Sequence, residues 1–179
     1  MSDFEMVESN WKAYSKLLGR FKDTHINNLI DTIGERLCVS PANPREEQYG
    51  CYGGGLVDTT LKITTTMKKL SSFHEFKVPV SSILKVGLLH DIGRIGTLEK
   101  VWLSEQDSDW HYERGFHFKQ NYDLSEKNHT QRTLYLLQHF GVRLSEEEYD
   151  AILSIEDHCA RNQTSSLLIH SRNILTNKG

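Results

Sequence analysis

Two side chains of opposite acid–base character stand together at the end of the most apolar stretch of this chain. In Val86–Gly96, VGLLHDIGRIG, an apolar helical run ends at His90 and Asp91, and Gly93, Arg94 and Gly96 follow at once. Taking an ionised group out of water is costly unless it is paired or coordinates a metal. The residues therefore allow two readings. Either the pair braces the fold, His90 meeting the helix C-terminal dipole and Asp91 bonding nearby backbone donors, or it holds an ion.

The elements that must position this pair are helical. The chain has 179 residues, enough for one domain with a sizeable core. Apolar residues recur at helical spacing over 4–18, 22–37 and 56–70, for example Ile26, Leu29, Ile30, Ile33 and Leu37. Between them VSPANPREEQYGCYGGG, with two prolines and Gly53-Gly54-Gly55, reads as a connection. A central helix is predicted over Ile83–Ile92, apolar nearly all round, with Ser81-Ser82 as its N-cap region. The next stretch, up to about residue 128, is irregular and aromatic-rich, suited to a short helix, a hairpin or a flap. A helix through Leu134, Leu137 and Phe140 stops at Gly141. The following one opens at Ser145, with Glu148 at capping-box spacing, and SSLLIHSRNIL forms the last. The expected fold is all-α, one globular unit, with residues 1–45 as an N-terminal helical extension packing on the core and 46–179 as the main helical domain.

Composition removes several function classes. A net charge of −3 gives no support to a broad nucleic-acid-binding face or an anionic-membrane surface. No apolar run approaches the ~18 residues of a membrane span, and the start, MSDFEMVESNWKAYSK, is unlike a secretory signal. Cys38, Cys51 and Cys159, without C-x-x-C spacing, read as free thiols in a reducing compartment, so a cytoplasmic address is expected. Nucleophile-elbow, Walker and Rossmann fingerprints are absent.

Taken together, GGGLVDTTLKI, VGLLHDIGRIG, NHTQRTLYLLQHFGV and ILSIEDH resemble the HD-domain metal-dependent phosphohydrolases over roughly residues 50–176. The resemblance implies an HD-like helical bundle in which His90 and Asp91 hold a divalent ion that activates water against a phosphate ester. Imidazole suits iron, manganese, cobalt, nickel or zinc, and carboxylate is a hard donor that also suits magnesium. Bound metal lowers the pKa of water and neutralises phosphoryl oxygens. Adjacent helical residues point about 100° apart, so His90 and Asp91 can face one ion only at a helix end, which Gly93 fits. Asp91 and Arg94 are the expected catalytic pair. Arg94, Lys119 and Arg132 are the expected phosphate contacts.

The chain departs from the family pattern at two framework positions. Thr59 stands where the first histidine belongs, with Asp58 one step round the helix, and Asn173 stands where the late aspartate belongs. His129 and His158, or Asp157 in place of one of them, would rebuild the set around His90 and Asp91. The first expectation is thus hydrolysis of a nucleotide or related small phosphoester. The rival is a degenerate HD-fold domain without hydrolysis, serving as a nucleotide-binding or protein-interaction module. His25, His74 and His139 read as ordinary residues, and His170 as a core histidine or a site neighbour. Gly53–Gly55 could cradle an anion or simply allow a tight turn. RGFHFKQNY, residues 114–122, suits either a base-stacking flap or a surface hairpin that buries Phe116 and Phe118.

Overall fold

A computed structural model describes residues 3–73 and 76–176. His74 lies outside the described residues. Eight α-helices occur among those residues: α1 (Asp3–Leu18), α2 (Thr24–Val39), α3 (Gly55–Phe73), α4 (Val80–Leu89), α5 (Asp109–Tyr112), α6 (His129–His139), α7 (Glu146–Asp157) and α8 (Gln163–Thr176). A two-stranded antiparallel ribbon, β1 (Leu103–Glu105) and β2 (Phe118–Gln120), fills the irregular stretch, pairing Ser104 with Lys119. The class is all-α. No described helix is long and apolar enough to cross a membrane.

Local chemistry sets the helix limits. The Asp23 carboxylate accepts from the His25 and Ile26 amides and starts α2. Reciprocal capping boxes start α6, with Asn128 and Gln131, and α7, with Ser145 and Glu148. Gly141 takes a left-handed φ of 73° just beyond α6, where the sequence placed the stop. The start of α4 differs from expectation. It follows Pro79 directly, and no side chain caps it. A proline ring presets the backbone there, which frees the Ser82 hydroxyl to donate to Glu148 of α7 at 2.8 Å.

One core receives all the long helices. Buried Tyr14, Leu29, Ile63, Leu88, Leu137, Ile152 and Leu168 come from α1, α2, α3, α4, α6, α7 and α8 respectively. The N-terminal helices are thus part of the same core, and the Tyr14 hydroxyl donates to the Leu88 carbonyl at 2.8 Å. Helix α4 is central: it packs on α3, and also meets α1, α7 and α8.

The end of α4 is locked by one glycine. Beyond Leu89 the chain tightens into a 3-10 turn, Ile92–Ile95, which packs on α6. A Cβ at Gly93 would overlap the His129 carbonyl oxygen and the Thr133 amide nitrogen, both backbone atoms. The Gly93 amide also donates to the Thr133 hydroxyl at 2.8 Å. Only a residue without a side chain lets the start of α6, and so His129, come this close. Gly93→Ala should therefore lower the unfolding free energy by about 3 kcal/mol, at the upper end of overpacking costs. Denaturant titration with a loss under about 1 kcal/mol would contradict this close approach.

Candidate functional site

The backbone solves the problem of facing two adjacent residues one way. His90 still has helical angles, but Asp91 turns to φ −117° and ψ 10° as α4 gives way to the 3-10 turn. Both side chains are buried, His90 at 0% and Asp91 at 1% exposure. His90 Nδ1 lies 2.8 Å from the Gly87 carbonyl oxygen. That oxygen can only accept, so Nδ1 carries the proton and Nε2 presents a bare lone pair. His129, the first residue of α6, places its Nε2 at 3.7 Å from Asp91 Oδ1, while His90 Nε2 is 3.6 Å from Asp91 Oδ2.

Two guanidiniums share the Asp91 carboxylate. Arg94 donates from Nε to Oδ2 at 3.0 Å, and Arg172 of α8 donates from Nη1 to the same oxygen at 2.7 Å. Each arginine is anchored a second time by the connection between α2 and α3. Arg94 Nη1 donates to the Ala42 carbonyl at 2.8 Å and to Asn43 Oδ1 at 3.1 Å, and Arg172 Nη2 donates to the Tyr49 hydroxyl at 3.3 Å. Three buried atoms at this centre have no hydrogen-bond partner: His90 Nε2, Asp91 Oδ1 and His129 Nε2.

The charges follow from this geometry. Burial alone would raise the Asp91 pKa, but the Arg172 and Arg94 guanidiniums outweigh it and hold the carboxyl well below its usual 3.8. Burial pushes His90 down to about 4, against the pull of Asp91 and with Arg172 and Arg94 adding to it. Burial and Arg94 push His129 down to about 3. At neutral pH the centre therefore holds two neutral imidazoles, one carboxylate and two guanidiniums, an excess of positive charge.

That charge decides what the centre can hold. Two imidazole nitrogens and a carboxylate oxygen are suitable donor types for a transition metal. A divalent ion, however, would add to two guanidiniums already sharing the sole carboxylate. At about 4 Å and an effective dielectric near 20, each pair of like unit charges costs on the order of 4 kcal/mol. Among the described residues no group of three or more His, Cys, Asp or Glu side chains is arranged to hold a metal ion. The centre does not fit a divalent cation. His90 Nε2 and Asp91 Oδ1 can only accept, so these unpartnered atoms suit a small neutral hydrogen-bond donor.

The remaining expected residues are dispersed. Asp157 and His158, expected to complete a metal set, stand exposed at the end of α7, where His158 adopts a left-handed φ of 53°. Asp157 binds Arg161 and the Cys159 amide, and no contact joins either residue to Asp91. Asp157 lies on the exposed side of the last turn of α7, and His158 leaves the helix in the left-handed region. Arg132, expected at a phosphate, is buried and committed to carbonyl oxygens of Gly93, Leu124 and Lys127. Arg94, likewise expected to reach substrate, is consumed by Asp91 and the 42–43 segment. Lys119 sits on β2 in an exposed pair with Asp107 at 3.0 Å, in a different part of the molecule. Thr59 is buried, facing Gly50, and Asp58 binds Asn10, Tyr52 and Lys62. Asn173 is exposed, and so is His170, whose Nδ1 meets the Ser166 carbonyl at 2.7 Å. Gly54 and Gly55 form a tight turn packed on Val7 and Gly50, which leaves no cradle for an anion.

Arg172 was not singled out from the sequence, and spacing alone does not separate it from Asn173, since each lies four residues after a buried residue of α8, Leu168 and Ile169. No family model, curated protein or solved structure matches this chain.

The neutral histidines make stability depend on pH. In the unfolded chain they take up protons near 6.5, whereas in the folded chain they resist until about 4 and about 3. The unfolded state binds more protons across that window, so stability should fall as pH drops from 6.5 towards 4. Asp91 adds a further loss only below the ordinary carboxylate pKa. Unfolding midpoints measured from pH 7.5 to 4 should show this slope, reduced in a His90→Gln/His129→Gln variant. Equal stability at pH 7 and 5 would rule out buried neutral imidazoles.

Proposed function

We propose that this chain is an HD-like helical domain in which the metal centre has been replaced by a fixed ion-pair brace, and that it binds a nucleotide-like ligand without hydrolysing it. The observation that carries the reading is the pair of guanidiniums on Asp91 Oδ2, at 3.0 Å and 2.7 Å. In the family this chain resembles, that carboxylate belongs to a divalent ion. Here Arg94 and Arg172 neutralise it from within the chain, and both are fixed by second hydrogen bonds.

The framework substitutions agree with this. Thr59 brings no imidazole, and the helix that should supply a late aspartate supplies Arg172 inward and Asn173 outward. Without a metal to activate water, the described residues at this centre offer no strong substitute base. His90 and His129 are neutral bases weakened by burial and positive charge, and a base with pKa of about 4 or about 3 is poorly matched to proton abstraction at neutral pH.

Elemental analysis of untagged protein purified without chelator should find manganese, iron, cobalt, nickel and zinc all far below one per chain. A screen of nucleoside mono- and triphosphates with each of these ions, and with magnesium, should show no turnover. A near-stoichiometric metal that disappears in a His90→Ala/Asp91→Ala variant, with phosphate release that depends on it, would overturn the proposal and restore the hydrolase.

A further inference from the structure

The segment that fixes Arg94 does not end at Asn43. It continues through Pro44 and Arg45 along the flap that carries β1, α5 and β2. The Phe118 amide donates to the Pro44 carbonyl at 3.1 Å, the Glu46 amide donates to the Gly115 carbonyl at 2.8 Å, and Arg45 bridges Phe116 in antiparallel fashion. Between this segment, α5 and β2 lies a cavity of about 610 Å³, within the range of small-molecule sites.

Its walls are stacked cations and aromatic rings. The Arg114 guanidinium lies 3.6 Å from the centre of the Trp110 ring and is held there by donating to the Trp110 carbonyl at 3.0 Å. The Arg45 guanidinium lies 4.3 Å from the centre of the Phe116 ring. His111 stands edge-on to both Trp110 and Phe116. Yet Trp110 is 57% exposed and Tyr122 76% exposed, so the fold leaves large aromatic faces in water at the rim. Arg45, Arg114 and Lys119 line the cavity, and its single lining carboxylate, Asp107, is paired with Lys119 at 3.0 Å, which leaves the two arginines as its other cations. Glu47 reaches Arg45 at 3.5 Å from outside the lining. In a chain with net charge −3, a cationic cavity with ring faces is a local exception.

A planar ring gains by stacking on aromatic and guanidinium faces, and a phosphate gains charge-assisted hydrogen bonds from arginine and lysine. We infer that this cavity binds a nucleoside monophosphate unit, its base stacked at Trp110 and Arg114 and its phosphate near Arg45. This places the ligand of the proposed binding function at the flap instead of at the buried Asp91 centre. The same chemistry is offered by a free nucleotide and by one residue of a single strand.

The test is calorimetric titration of the intact chain with the four common nucleoside monophosphates, with the matching nucleosides, with inorganic phosphate and with a short single-stranded oligonucleotide. At least one monophosphate, or the oligonucleotide, should bind saturably, and more tightly than nucleoside or phosphate alone. Tighter binding of the oligonucleotide would identify a strand as the source, and equal binding per nucleotide a free nucleotide. Trp110→Ala should weaken binding roughly ten-fold or more, as loss of one stacking face does. Arg45→Ala should weaken the monophosphate but not the nucleoside. Trp110 and Arg45 are exposed enough that circular dichroism should report an unchanged fold in both variants. Saturable binding that neither substitution changes would overturn this site while leaving a nucleotide-binding domain in place. No saturable binding to any of the probes would overturn both.

Discussion

A single carboxylate, buried at 1% exposure, is the fixed point of this molecule. Removing Asp91 from water is tolerable only because two guanidiniums meet the same oxygen, and those guanidiniums arrive from different parts of the chain. Arg94 comes from the turn after α4, and Arg172 from α8 near the C-terminus. The connection between α2 and α3 supplies the carbonyl, amide and hydroxyl that hold both arginines in place. Helix α6 is drawn in on the other side, where Gly93 admits its first turn and His129 faces the carboxylate. Four segments distant in sequence are thus fixed relative to one another by one charge cluster. Such a cluster contributes less net stability than its Coulomb energy suggests, because desolvation offsets much of it. Its effect is on arrangement: each partner is correct in only one position.

The same cluster explains the functional character proposed for the chain. A metal held at this centre would need the Asp91 carboxylate free to share its charge with the ion. Here that charge is already met by Arg94 and Arg172. The region proposed for recognition is elsewhere, on the flap, where guanidiniums stack on exposed Trp110 and half-buried Phe116. The connection from residue 42 to residue 50 touches both regions. Its first half holds Arg94 through Ala42 and Asn43, and its next residues pair with the flap. A rigid centre therefore anchors one wall of an accessible cavity.

Much of the helical scaffold could be read from local sequence because local chemistry determines it. Ser145 and Glu148 form the capping box that their spacing announces, and α6 ends where Gly141 allows a left-handed turn. His90 and Asp91 are buried together, as the apolar run before them suggested. What could not be read depends on direction and on distant partners. Asp157 and His158 carry the right residue types, but both are exposed at the end of α7. Arg132 was expected at a phosphate, but Gly93, Leu124 and Lys127 present carbonyls to it. Arg172 is 81 residues from Asp91, and only the rotation of α8 shows that it, not Asn173, points inward.

A double-mutant cycle on Asp91 and Arg172 examines the brace itself. Unfolding free energies would be measured by denaturant titration for Asp91→Asn, Arg172→Met and the double variant. Each single change should be costly, because it leaves a buried charge without its partner. The double variant should be more stable than the sum of the two losses predicts, by about 2 kcal/mol or more, as expected for directly coupled buried charges. Losses that add to within about 0.5 kcal/mol would mean the two residues act independently, and Arg172 would then not be the cation that satisfies Asp91.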